Sequence, residues 1–246
     1  MEQGICLLNF ICEQDRGMLE HCKLLTVEDV HKDEAAIISV LSAIMDNRLQ
    51  NDIKLLNYYR ELPVSFAASV VAVDRGVVEV KVHEMQIASM LVQKATFIRS
   101  IHFPHGVIAN VLRIRKQRCL AYLTQFSYAR IHADQRIYVR VKVSDKIDAA
   151  FHNEQHLVRG RIEDISFSGV AIKTPKGSIL EENIKGMVSI CLPDAKLEVP
   201  GKLLKKQGED VYVFELEIDT KSEKIISQFI FQQQSQIIRE LKDLCG

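Results

Sequence analysis

The sequence predicts a mainly β protein with helical additions: an N-terminal helical segment, two β-rich domains and a C-terminal helix. Three observations predict this class. Apolar residues recur at helical spacing near the two ends of the chain, short runs with alternating apolar residues fill the part between, and turn residues separate these runs. The predicted division is residues 1–60 for the helical segment, 61–130 for the first β-rich domain and 131–246 for the second domain with its helix.

Composition fits a folded protein of this size. Of the 246 residues 47% are hydrophobic and 26% are charged, which is typical of globular chains with a real core. The 32 basic residues equal the 32 acidic ones, and this zero net charge argues against a general nucleic-acid binder. No apolar run approaches the ~18 residues of a membrane helix. Glu2 also stands where a signal peptide carries positive charge, so we expect a cytoplasmic protein without a membrane span.

The helical segment is predicted from one periodic stretch. Thr26 with Asp29 resembles a capping box, which marks a helix start. Apolar residues then follow at helical spacing, namely Ile37, Ile38, Leu41, Ile44 and Met45.

Residues 61–130 change to strand patterns. "VSFAASVVAV", the turn "DRG" and "VVEVKVHEM" predict a hairpin, because Val78, Val80 and Val82 alternate. "GVIANVLRI", the basic turn "RKQR" and "CLAYLTQF" predict further strands.

From about residue 134, short strands separated by turn residues predict a small antiparallel barrel or sandwich. A helix then closes the chain, with Thr220 and Glu223 as its capping-box pair. Its apolar stripe is longer than one small barrel needs to cover. We therefore expect the stripe to meet the N-terminal domain or a second copy in a homodimer. The stripe consists of Ile225, Ile226, Phe229, Ile230, Ile237, Ile238, Leu241 and Leu244.

Two short stretches are candidates for a site. In "DQRIYVR", a strand would put Arg136, Tyr138 and Arg140 on one face and the intervening Ile137 and Val139 on the other. This face is either an ordinary solvated one or half of a site for an anionic, planar ligand.

The second stretch, "EDISFSG", ends one strand and begins another. Asp164, Ser166 and Ser168 are residues that shape turns by bonding the backbone, and Gly169 is expected to supply a positive φ. The stretch is either a hairpin turn or a polar cup of one carboxylate, two hydroxyls and backbone N–H groups.

Taken together, the two stretches would suit a ligand that carries guanine bases and phosphates. An arginine fork pairs bidentately with phosphate or with the O6/N7 edge of guanine. A carboxylate accepts hydrogen bonds from the N–H groups of guanine's other edge, or it fixes an arginine in place.

The ordered pair of motifs, Arg136-x-x-x-Arg140 and then Asp164-x-Ser166-x-x-Gly169, resembles the signature of the PilZ domain. The resemblance covers residues from about 134 to 246, and Gln135 before the first arginine is also common in that family. It implies a six-stranded antiparallel barrel that binds cyclic di-GMP (c-di-GMP).

By this resemblance Arg136 and Arg140 grip guanine and phosphate, while Asp164, Ser166 and Gly169 complete the site, with Gln135 and Ser168 beside them. The preceding β-rich zone resembles the split-barrel-like N-terminal domain of two-domain, flagellar-brake-type PilZ proteins. Two departures from that pattern are the helical first ~60 residues and a last strand, "DVYVFELEI", without the glycine often found there.

The resemblance implies a receptor and not an enzyme, with c-di-GMP as its ligand and no cofactor. Binding is expected to change the angle between the domains and so to act on a protein partner, such as the flagellar motor or another effector of motility, biofilm or surface behaviour. The alternative is a degenerate PilZ-like module that has lost the nucleotide and serves protein interaction.

Other sites are not predicted. The pairs His102/His105 and His152/His156 lack the further ligands that a metal centre needs, and the six cysteines match no zinc spacing. "RIRKQR" at 113–118 could suggest a nucleic-acid-binding barrel, but aromatic residues for base stacking make up only 7% of the chain. We interpret it as a solvated hairpin turn.

Overall fold

The computed structural model describes residues 21–131, 138–175 and 180–245. By their contacts the residues form two compact units. Of the described residues, the first unit comprises 21–59, 63–131 and 240–245, and the second comprises Arg60–Leu62, 138–175 and 180–239. The predicted mainly β fold is confirmed, since two large sheets carry most of the secondary structure.

The first unit contains an eight-stranded sheet with two helices. Its elements are β1 Cys22–Leu25, α1 Val30–Met45, β2 Lys54–Tyr59, β3 Leu62–Ala67, β4 Ser69–Asp74, β5 Val77–Lys81, α2 Glu84–Gln93, β6 Ala95–Arg99, β7 Gly106–Arg115 and β8 Leu120–Ile131. The strand order is β3-β2-β6-β7-β8-β5-β4, and β1 pairs with β8.

Residues 21–60 form two strands in addition to the predicted helix. Helix α1 begins after Asp29, whose carboxylate accepts hydrogen bonds from the His31 and Lys32 backbone N–H groups, so Asp29 is the cap and not Thr26. Strands β1 and β2 flank the helix, and sequence analysis missed both. β2 is buried over most of its length, and a short apolar run of this kind has no period that separates strand from helix.

A buried polar network ties β2 to α2 and β6. The Asn57 side-chain N–H donates to Gln93 Oε1 and to the Ala95 carbonyl, both at 2.7 Å. Asn57 Oδ1 accepts from Gln86 Nε2 at 2.5 Å and from Thr96 Oγ1 at 2.8 Å. Asn57, Gln86 and Thr96 are fully buried. Asn57 is therefore the hub that pairs buried polar groups from three elements.

The second unit is a closed barrel followed by a helix. Its elements are β9 Arg140–Lys142, β10 Asp148–His152, β11 Leu157–Ser166, β12 Gly169–Lys173, β13 Lys185–Cys191, β14 Lys196–Gln207, β15 Val211–Leu216 and α3 Thr220–Asp243, whose residues from Glu240 onward count with the first unit. Six strands pair in the order β10-β13-β14-β15-β12-β11, and β11 pairs back with β10. Every pairing is antiparallel. The predicted six-stranded barrel is thus confirmed.

Strand β11 pairs with two different strands, β10 and β9, along the same edge. Its first half, Leu157–Arg161, pairs with β10 and closes the barrel. Its second half, Asp164–Ser166, pairs with the short strand β9. The end of β11 therefore carries an additional strand at the position where the sequence motifs lie.

Helix α3 begins with a cap that differs from the predicted one. The carboxylate of Asp219, the residue before the helix, accepts a hydrogen bond from the Ser222 backbone N–H at 2.8 Å. The Asp219 carbonyl accepts from the Glu223 N–H, also at 2.8 Å. Asp219 thus caps the helix in place of Thr220, since its carboxylate, one residue earlier, reaches a free backbone N–H of the first turn.

We predict that Asn57→Ala lowers the free energy of unfolding by about 2–4 kcal/mol, because it leaves several buried polar atoms without partners. Asn110→Ala is the matched control, since the Asn110 amide donates to Gln125 Oε1 at an exposed position. Thermal and urea unfolding measure both variants. Equal losses for the two substitutions would contradict a hub role for Asn57.

We also predict a pH-dependent contribution from Asp219. The hydrogen bond from the Ser222 backbone N–H holds the pKa of Asp219 below its ordinary value of 3.8. A carboxyl with a lowered folded pKa stabilises the fold fully above its unfolded pKa and loses that contribution as pH falls through the folded pKa. The difference in melting temperature between wild type and Asp219→Ala should therefore be largest near neutral pH and shrink in acid.

Asp219→Asn is the control for this prediction, because its amide oxygen still accepts the hydrogen bond without a titrating proton. Its difference from Asp219→Ala should change little with pH. A gap between wild type and Asp219→Ala that stays constant across the acid range would contradict the assignment.

Candidate functional site

The register of β9 against β11 brings the two sequence motifs together. Arg140 lies opposite Ser166, Val141 opposite Ile165 and Lys142 opposite Asp164. Val141 and Ile165 are both 0% exposed and face the core. Because side chains alternate along a strand, Arg140, Lys142, Asp164 and Ser166 share the other face. An arginine and a carboxylate from distant parts of the chain thus lie on one side of two adjacent strands.

A bulge in β11 sets this orientation. Ile162 pairs with Ile172, but the next paired residue is Asp164, opposite Ala171, so Glu163 is an extra residue in the strand. Ile162 and Ile165 are both buried although they are three residues apart. The bulge re-phases the strand, so Asp164 points away from the core.

The Ser166 side chain forms a hydrogen bond within the turn. Its hydroxyl donates to the Gly169 carbonyl at 3.3 Å, and its side chain is buried. Ser168 is exposed, and its carbonyl accepts a hydrogen bond from the Leu216 N–H at 2.9 Å. Of the two hydroxyls in the predicted polar cup, that of Ser168 faces solvent and that of Ser166 is engaged by the backbone.

Gly169 is required for a reason different from the predicted one. Its φ lies outside the left-handed region, so the predicted positive φ is wrong. A Cβ at this position would lie 2.8 Å from the Phe214 carbonyl oxygen on the neighbouring strand β15. The β12–β15 pairing brings the two backbones this close, and only glycine leaves the space.

The strand predicted in "DQRIYVR" begins later in the structure. It begins at Arg140, and Tyr138 and Val139 before it are 43% and 42% exposed, so the predicted inward position of Val139 is wrong. Strand β11 ends at Ser166, opposite Arg140, so Tyr138 and Val139 have no partner on that strand. Gln135, Arg136 and Ile137 of the first motif lie outside the described residues.

An aromatic contact that sequence analysis missed joins the two motifs. The ring of Tyr138 lies 5.2 Å from the ring of Phe167, centroid to centroid, in a tilted arrangement. Phe167 stands between Ser166 and Ser168 in the turn. An aromatic residue in each motif was the available signal. The sequence alone does not show that these two aromatic residues touch, because their contact depends on the register of the strands.

The histidine and cysteine residues of the described ranges do not gather into a metal site. Among residues 21–131, 138–175 and 180–245, no group of three or more His, Cys, Asp or Glu side chains could hold an ion. His152 Nε2 lies 2.9 Å from Glu198 Oε1, and His102 Nε2 lies 3.0 Å from the Gln50 carbonyl oxygen. Within the same ranges, no helix combines the length and the apolar character needed to cross a membrane.

The basic stretch 113–118 ends β7 and forms the turn into β8. The Arg115 guanidinium lies over the Tyr122 ring, 5.4 Å from its centroid. The interpretation as a hairpin turn between two strands agrees with this structure.

A known protein family matches most of the second unit in sequence. Residues 134–232 match the family model of the PilZ domain, which confirms the predicted PilZ domain in this chain. No curated protein matches the chain in sequence.

Several solved structures match most of the chain at low sequence identity. YcgR from Escherichia coli, in complex with c-di-GMP, is 11% identical, with a TM-score of 0.42 over 92% of this chain and 98% of YcgR. The Bacillus subtilis inhibitor of motility (MotI/DgrA) is 13% identical, with a TM-score of 0.39 over 75% of this chain and 95% of its own. The K. pneumonia MrkH–c-di-GMP complex is 11% identical, with a TM-score of 0.41 over 84% and 96%.

We predict that Gly169→Ala lowers the free energy of unfolding by about 1–3 kcal/mol, because the added methyl group meets the Phe214 carbonyl and forces two strands apart. Ser168→Ala, at the exposed neighbouring position, is the control and should change stability little. Chemical unfolding of the two variants tests the prediction. A stability of Gly169→Ala equal to that of wild type would show that the two strands have room for a side chain.

Proposed function

We propose that this protein is a receptor for c-di-GMP and that its PilZ domain binds the nucleotide without turning it over. The observation that carries this proposal is the register of β9 and β11, which sets Arg140 opposite Ser166 and beside Asp164 on the outer face. The match of residues 134–232 to the PilZ domain supports the same ligand.

The chemistry of the ligand fits these groups. c-di-GMP carries two phosphates and two guanines, and a guanidinium pairs bidentately with either. We assign this role to Arg140 and to Arg136, four residues earlier in the chain. The Asp164 carboxylate accepts from the N–H groups on the Watson–Crick edge of a guanine, or it orients one of the arginines.

The turn supplies the remaining contacts. The exposed Ser168 hydroxyl is positioned to meet a phosphate or ribose oxygen, while Ser166 and Gly169 hold the turn in shape. Gln135, beside Arg136, adds an amide that can donate and accept. Guanidinium, amide and hydroxyl groups of this kind recognise a ligand. They do not form a nucleophile–base pair, and this supports binding over hydrolysis.

We propose further that binding is passed to a protein partner through a change in the arrangement of the two units. A ligand can shift such an equilibrium only through different affinities for the two states. Arg140 lies shortly after the chain leaves the first unit, so a ligand held there can act on the connecting segment. A partner that responds to the nucleotide, such as a motility or surface-behaviour effector, would read this change.

Calorimetric titration with c-di-GMP tests the proposal. Arg136→Ala and Arg140→Ala should each weaken binding by about tenfold or more, since each removes a bidentate, charge-assisted contact. Arg159→Ala, an exposed arginine on the first half of β11, is the matched control and should bind as wild type does. Small-angle scattering of the same samples follows the arrangement of the units.

Three outcomes would count against the proposal. Wild-type protein that binds no c-di-GMP would favour the degenerate interaction module. Equal affinity of Arg140→Ala and Arg159→Ala would remove Arg140 from the site. Identical scattering with and without saturating nucleotide would leave binding intact and refute transmission through the units.

A further inference from the structure

The middle of helix α3 has an unusual surface. Residues 225–238, with the sequence IISQFIFQQQSQII, contain no charged side chain, in a chain where 26% of residues are charged. One stripe of this stretch is buried, namely Ile226, Phe229, Ile230, Gln233 and Ile237. The other side is solvated but carries only amide, hydroxyl and apolar groups. A solvated helix face normally carries charges, so this face is adapted to something other than water.

An aromatic side chain projects from this face. Phe231 is 69% exposed, and Ile238, two helical turns further on, is at the limit of exposure at 36%. With most of the Phe231 ring exposed, the chain lacks the free energy that burial of this ring would contribute. Exposed aromatic residues that lie next to other apolar groups are typical of binding surfaces.

Beside Phe231 lies an apolar groove within the second unit. It has a volume of about 210 Å³ and is lined by Tyr138, Val139, Phe167, Ser227, Ile230, Phe231 and Gln234. Its lining is mainly apolar, and its three polar side chains, Tyr138, Ser227 and Gln234, are uncharged. The patch therefore contains a projecting ring and a recess side by side.

This combination fits a second copy of the same chain. In a two-fold symmetric contact a patch meets itself, so it must be self-complementary. A patch with charges of one sign would repel its own copy. Glutamine amides donate and accept hydrogen bonds at once, and they pair with themselves without this penalty. The patch must also be complementary to itself in shape. A ring next to a recess meets this requirement, because the ring of each copy can enter the recess of the other.

We propose that two copies of this protein associate through the uncharged face of α3, with Phe231 of each copy seated in the groove of the other. Serine, glutamine and isoleucine side chains of the same face surround the two rings. The association rests on the helix face and the groove.

Sedimentation velocity over a concentration range of about 1–100 µM tests the proposal, because association shifts with protein concentration by mass action. Wild type should pass from monomer to dimer. Phe231→Glu should raise the dimer dissociation constant by about tenfold or more, because it removes the central ring and adds two like charges. Leu157→Glu is the matched control, since Leu157 is 60% exposed on the same barrel and does not line the groove.

A second pair of variants keeps the test independent of any folding defect in Phe231→Glu. Gln234→Lys and Gln234→Glu each place like charges across the proposed two-fold contact, and each alone should dimerise more weakly than wild type. An equimolar mixture of the two should regain association through opposite charges.

Several results would overturn the proposed dimer. A wild-type chain that stays monomeric at every concentration overturns the proposal and assigns the groove to another partner. Dimers of Phe231→Glu as stable as those of wild type, or an equal loss in Leu157→Glu, also overturn it. A mixture of the Gln234 variants that stays monomeric contradicts the two-fold contact.

Discussion

The pairing of Val141 with Ile165 is the interaction on which the candidate site depends. Both side chains are fully buried, one from the short strand β9 and one from the end of β11. A shift of this pairing by one residue would turn every side chain of β9 to the opposite face and bury Arg140 or Lys142 in the core. Two apolar side chains therefore hold a guanidinium opposite a turn that lies about two dozen residues further along the chain.

Strand β11 explains why barrel and site cannot be separated. Its first half closes the ring of six strands, its bulge at Glu163 re-phases the chain, and its last residues receive β9 and begin the turn at Phe167. The close approach of Gly169 to the Phe214 carbonyl fixes the far side of that turn. The exposed groups of the turn are thus held by packing and backbone contacts on both flanks, which preorganises them for a ligand.

Sequence analysis predicted the parts of this structure that depend on local pattern. The alternation of Val78 and Val80 marked β5, and the two ordered motifs marked the PilZ domain. Features that depend on distant partners were missed. Asn57 is an ordinary polar residue until Gln86 and Thr96 surround it, and the start of β9 follows from where β11 ends. Gly169 was predicted for a positive φ, whereas the structure requires a glycine for the close approach of two strands, which leaves no local trace in the sequence.

The contact between Tyr138 and Phe167 makes this region accessible to optical spectroscopy. The chain has six tyrosines and no tryptophan, so it contributes no indole fluorescence of its own. An indole introduced at either position of the pair would be the sole one in the molecule, and it would lie between the two motifs. Its emission would report on the solvation of this one turn, free of background from the two cores, while ligands or concentration are varied.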